Sequence, residues 1–89
     1  NRKMLSYGKY LVGRYQEFQK GDSQKAGDFK YIAIHNALKR EFKGDWKLLP
    51  SGRFDELVVF LQRRIDNTKV GRINRARSIS NYHSFAEHT

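Results

Sequence analysis

Glu41-Phe42-Lys43, with Asp28 upstream, comes nearest to a catalytic motif in this chain, because an acid and a lysine two apart behind a second acid recur in many metal-dependent nucleases. That chemistry uses a strand, which aims alternate side chains at one metal ion. On a helix, residues two apart point about 200° from each other. The segment around Glu41 reads as helix, so no metal is expected there. His83 and His88 are five apart without acidic or thiolate companions at ligand spacing, so no zinc site is expected either. His35 lies close to the apolar stripe of its own segment and is read as a core or boundary histidine. Serine, histidine and aspartate all occur, yet no nucleophile has an identifiable base, and no glycine-rich phosphate cradle follows a strand. No catalytic residue, cofactor or metal is expected, and the chain is read as a non-enzyme.

Charge is the stronger signal. Eighteen Lys and Arg against nine Asp and Glu give a net +9 in 89 residues. Residues 1–26 carry six basic residues against two acids, 27–50 five against three, 51–66 three against three, and 67–89 four against one. The surplus therefore sits at the two ends and on the middle segment. Such a surplus favours any polyanion through counterion release without choosing among polyanions. The candidate phosphate contacts are Lys39, Arg40, Lys43 and Lys47, joined by Arg72, Arg75 and Arg77. Trp46, Phe60 and Tyr82 are the candidate partner-interface aromatics, with Trp46 or Tyr82 expected to stack or wedge against bases. Each has a plainer structural reading beside it. The basic surplus can be a solvated surface; Lys39, Arg40 and Lys43 crowd the last turns of a helix, where cations complement the dipole; and Phe60 can pack under the loop that contains Trp46.

The elements that must carry these residues are few. Eighty-nine residues make one domain that buries about two-thirds of its unfolded surface. Only 38% of the chain is hydrophobic and 30% is charged, against ~45–50% and ~25% in ordinary domains. A core centred on aromatics, completed by self-association, is the expectation. The absence of cysteine excludes disulfides and thiolate sites. No run approaches the ~20 apolar residues of a membrane span. A soluble, cytoplasmic protein is expected. Opening on Asn1, it reads as a processed or cut-down piece of a longer protein.

Periodicity predicts three helices. Met4, Leu11, Val12, Tyr15 and Phe18, with Gly8 on the same face, predict a helix from Met4 to about Lys20, weakened by Gly8 and Gly13. The polar loop Gly21–Gly27 ends it. Asp28 is the expected N-cap of a second helix, with Tyr31, Ile34, Leu38 and Phe42 on one face. Gly44 is expected to end that helix in a left-handed conformation. Ser51 is the expected N-cap of a third helix, whose stripe is Phe54, Leu57, Val58, Leu61 and Ile65. Leu57, Leu61 and Ile65 are expected to face Ile34, Leu38 and Phe42. Val59 and Phe60 fall off that stripe and suggest a second contact surface. Residues 67–89 form a basic, less regular C-terminal segment, in which Ile79, Tyr82 and Phe85 are spaced to dock on the core. The expected fold is all-α, a three-helix or four-helix module.

The run Ala37-Leu38-Lys39-Arg40-Glu41-Phe42-Lys43, followed by Trp46-Lys47-Leu48-Leu49-Pro50 and Arg53-Phe54-Asp55-Glu56-Leu57-Val58-Val59-Phe60-Leu61, resembles the carboxy-terminal domain of phage and prophage antirepressors. The likeness spans roughly residues 30–66. It implies a helical, usually oligomeric, non-enzymatic regulator of a temperate phage or mobile element, in a bacterial host cytoplasm. The chain departs from the family in lacking a recognisable amino-terminal DNA-binding domain. Two functions follow as expectations: a transcription-regulating module whose basic surface contacts DNA phosphates, or an oligomeric interaction module that captures a repressor protein without touching DNA.

Overall fold

A computed structural model describes residues 1–22 and 32–88. The expected N-cap Asp28, Tyr31 and most of the Gly21–Gly27 loop lie outside the described residues. Four helices follow one another: α1 (Arg2–Asp22), α2 (Ile32–Phe42), α3 (Phe54–Asp66) and α4 (Lys69–Ala76). Two short 3-10 turns, Trp46–Leu48 and Ser51–Arg53, join α2 to α3. The fold is all-α, with no strand among the described residues, and none of their helices is long and apolar enough to cross a membrane.

The longest helix, α1, organises the rest. It buries Tyr7, Leu11, Val12, Tyr15 and Phe18, an apolar arc wide enough for α3, α4 and α2 all to lean on it. Tyr7 stands three residues after Met4 and four before Leu11, on the face the periodicity already marked. Asn1 starts α1, its side-chain oxygen accepting from the N–H groups of Lys3 (2.9 Å) and Met4 (3.2 Å). Of the expected α3 stripe, Phe54, Leu57, Leu61 and Ile65 are buried and Val58 is half-buried, but the stripe lies chiefly against α1 instead of α2. The expected α2–α3 pairing gives way because α1 offers the larger apolar face. Ile34, Leu38 and Phe42 of α2 join the same continuous core.

Two chain reversals differ from expectation. The left-handed residue after α2 is Lys43 (φ 56°), one position before Gly44. Ser51 does not cap α3, since the 3-10 turn Ser51–Arg53 runs straight into it and Arg53 occupies the cap position without a side-chain bond. The segment expected to be irregular contains α4. Thr68 caps it, accepting from Gly71 N–H at 2.9 Å while donating to the Ile65 carbonyl at 2.7 Å. A Cβ on Gly71 would collide with that same carbonyl. Gly71 is therefore a close-approach residue at the α3–α4 corner and not a helix breaker. Ser78, at φ 60°, closes α4: Ile79 N–H reaches the Asn74 carbonyl (2.8 Å) and Ser78 N–H the Arg75 carbonyl (3.0 Å), the bond pair of a Schellman ending.

Candidate nucleic-acid interface

The seven candidate phosphate contacts fall on two separate supports. Lys39 and Arg40 are exposed in the last turn of α2, Lys43 is the left-handed residue that follows, and Lys47 is exposed on the first 3-10 turn. Arg72 and Arg75 lie on α4, and Arg77 directly follows it; all three are exposed. Both helices lean on α1 and share no substantial contact with each other. The structure therefore presents two basic surfaces, each built on its own helix end. Among the described residues only Arg75 of the seven has an acid in range, with Nη1 4.0 Å from Asp66 Oδ2. Arg72 donates through Nε to the Asn67 carbonyl at 3.0 Å, which fixes the base of its side chain across the α3–α4 corner.

The aromatic candidates are placed differently. Trp46 is a core residue, 7% exposed, its ring seated against Gly8 so closely that a Cβ there would come within 2.5 Å of Cζ3. It is not a surface aromatic for a base or partner to meet. Phe60 is half-buried, and its ring partner is Phe42, edge-on at 5.6 Å between centroids, with the Arg64 guanidinium 5.1 Å above it. Tyr82 is half-buried with its hydroxyl donating to Asp66 Oδ2 at 2.8 Å. Burial, and secondarily that bond to a carboxylate, push the Tyr82 phenol well above its ordinary value.

Beneath the α4 surface lies a polar hub centred on Asn81, which is 2% exposed. Its Nδ2 donates to Asp66 Oδ1 (2.8 Å) and the Gly71 carbonyl (3.2 Å), its Oδ1 accepts from Asn74 Nδ2 (2.9 Å), and its carbonyl accepts from Arg14 Nε (2.8 Å). One loop side chain and its backbone thus tie α1, the end of α3 and α4 together. Nothing in the periodicity marks Asn81, because a buried amide is defined by its partners and not by its neighbours in sequence. No family model matches this chain, and neither does a curated protein or a solved structure.

Residues 82–88 continue along α1. Tyr7 donates from its hydroxyl to the His83 carbonyl (2.7 Å), and His83 N–H donates to Tyr10 Oη (3.0 Å) while its ring stacks on Tyr10 at 3.9 Å. His83 Nε2 lies 2.8 Å from His88 Nδ1, and His88 Nε2 lies 2.8 Å from Ser6 Oγ. The sequence left every serine without a base, so this serine–histidine–histidine line is a finding of the fold. It can pass a proton. Yet Ser6 is inside α1, where its N–H and that of Tyr7 are spent on carbonyls four residues back. The backbone donors that acyl transfer places beside its nucleophile are therefore not offered at Ser6 or Tyr7. The line reads as a clasp that holds the C-terminal segment to α1. Among the described residues no group of three or more His, Cys, Asp or Glu is placed to hold a metal.

Proposed function

We propose that this chain is a non-enzymatic, phage-type regulatory module, antirepressor-like over roughly residues 30–66, whose basic surface contacts the phosphates of DNA. The observation that carries the reading is α4. It is an eight-residue helix, about 12 Å long, that follows a tight corner and turns Arg72, Arg75 and Arg77 to solvent with one distant acid among them. A short, exposed, basic helix braced from behind can enter a DNA major groove, which is ~12 Å wide and admits an α-helix by its diameter. Lys39, Arg40, Lys43 and Lys47 add a second positive surface that suits backbone phosphates. The resemblance over residues 30–66 supports a regulator of a mobile element, and with it a bacterial cytoplasmic setting. Under the other expected function, capture of a repressor, the same surface would steer association instead.

A duplex-DNA titration over a salt series tests the proposal. Each phosphate neutralised contributes about 0.9 to the magnitude of the log–log slope. Replacing Arg72, Arg75 and Arg77 together by Gln should lower that slope by roughly 2–3 and weaken binding by two orders of magnitude or more at low salt. The melting temperature serves as the control, because the Arg72 bond to Asn67 is lost as well. If the wild-type chain shows no retention on duplex DNA at low salt yet forms a stable complex with a repressor, the DNA reading fails.

A further inference from the structure

The outer face of α3 carries the inference. Opposite its buried stripe, Asp55, Glu56, Val59, Phe60, Arg63 and Arg64 follow one another along a single helix face, acids at the N-terminal end, apolar residues in the middle and arginines at the C-terminal end. Val59 is 45% exposed, a large share for an aliphatic side chain at the centre of a helix. These residues, with Glu41 and Phe42 from the end of α2, line an open groove of about 620 Å³. Among the described residues Asp55 and Arg63 have no ion-pair partner, and Glu56 is held only by the exposed Arg53 at 3.0 Å.

We infer that this face pairs with the same face of a second copy of the chain, the two α3 helices running antiparallel about a two-fold axis between Val59 and Phe60. The order of charges is its own complement under that operation. Asp55 then stands opposite Arg64 of the second copy, and Glu56 opposite its Arg63. Val59 and Phe60 of the two copies meet at the axis. The two-fold repeats each ion pair, as an isologous interface requires. A parallel pairing would set acids against acids and arginines against arginines, so the pattern also rejects the wrong orientation.

Charge along the chain points to the same occupant. Residues 51–66 carry three basic and three acidic residues, whereas the other segments are all positive. Two copies of a +9 chain repel each other over most of their surfaces, and the neutral helix is where they can approach closely. One helix face with a flanking phenylalanine is small for an interface, so the dimer belongs to the weak, concentration-dependent class. The pairing leaves α4 and the Lys39–Lys47 surface uncovered, and it stands independently of the DNA reading.

Sedimentation velocity from low micromolar to submillimolar concentration tests this directly. The wild-type chain should pass from monomer to dimer over that range. Two charge-reversed chains, D55K/E56K and R63E/R64E, should each lose self-association by about tenfold or more, while an equimolar mixture of the two restores a dimer. That restoration also shows both variants to be folded. Val59→Arg, which alters no ion pair, should weaken the dimer as well. A wild-type chain that stays monomeric through the submillimolar range overturns the inference. So does undiminished dimerisation of both reversed chains, or a mixture that gains nothing over its components. The Arg72/Arg75/Arg77 to Gln variant should dimerise like wild type, so loss of DNA binding and loss of the dimer are read separately.

Discussion

Two segments dock on the same helical framework by opposite means. The connection between α2 and α3 is held by one large apolar side chain: Trp46 enters the core against Gly8, and its buried indole N–H finds no hydrogen-bond partner among the described residues. The C-terminal stretch 77–88 is held by directed bonds, four to Asn81 and others to Tyr7, Tyr10 and Asp66, with Tyr82 and Phe85 supplying modest burial. Apolar docking tolerates an unmet polar atom when the surface buried is large enough. Polar docking does not, because each bond removed leaves a buried partner short. The two regions should therefore respond in different ways to substitution.

Trp46 should show the largest effect. Trp46→Ala is expected to cost about 3–5 kcal/mol in urea unfolding, the transfer and cavity loss of a buried aromatic. Trp46→Phe should cost far less than that, since it removes an N–H that has no partner to lose. Gly8→Ala probes the same contact from the other side. Its new Cβ would gain about 1 kcal/mol of helix propensity but must displace a rigid ring, and overpacking of this kind costs about 1–3 kcal/mol. A net stabilisation by Gly8→Ala would mean that the indole is not seated as described.

Asn81→Ala attacks the polar dock and should cost about 1–3 kcal/mol, because the buried Gly71 and the half-buried Asp66 and Asn74 each lose a bond. Amide hydrogen exchange should rise at α4 and residues 77–88 while the α1–α3 core keeps its protection. If exchange rises equally everywhere, the hub belongs to the global core and the contrast between the two regions disappears.

The same contrast explains what the sequence could and could not tell. The stripe of α3, the apolar positions of α1 and α2 and the all-α fold are legible because burial leaves a period of 3.6 residues. Trp46 is read as a surface residue because a lone aromatic in a polar loop carries no period, and only Gly8, costly in a helix and on the apolar face, hinted that something must fit against it. The helix α4 is hidden by Gly71 and by an ending built on Ser78 without a glycine. Asn81 takes three of its bonds from residues 7, 10 and 15 positions away and the fourth from Arg14, 67 away, and Ser6 meets His88 across 82 positions; none of these contacts leaves a period. At the candidate interface the identities of the exposed arginines are legible, whereas their division between two separate supports is a property of the packing.

Tyr82 sharpens the polar side through pH. Its phenol is raised from 10.0 by burial first and by its bond to Asp66 second. The folded chain therefore holds the proton where the unfolded chain has begun to lose it. Stability from this group is complete below pH 10 and declines as the pH rises through the higher folded value. Tyr82→Phe should cost about 1 kcal/mol at neutral pH, by loss of one hydrogen bond, and should flatten the alkaline decline. Some decline should persist, because burial raises the Tyr7 phenol in the same direction. An alkaline limb identical in wild type and Tyr82→Phe would place the titration elsewhere.

Gly13 supplies the smallest effect and the control for the whole comparison. It lies in α1, five residues beyond Gly8, yet a Cβ built on it meets nothing within 4 Å. The two glycines share one helix and one backbone conformation and differ only in what stands opposite. Gly13→Ala should therefore express helix propensity alone, a gain of about 0.5–1 kcal/mol from lower chain entropy in the unfolded state, read as a few degrees in melting temperature. Gly8→Ala should move the other way. If both substitutions stabilise the chain alike, Gly8 is no more than a weak helix former and the Trp46 seat is loose. If both destabilise it, α1 is crowded along its whole length, and the open space beside Gly13 is filled in solution by a further surface such as a second copy of the chain.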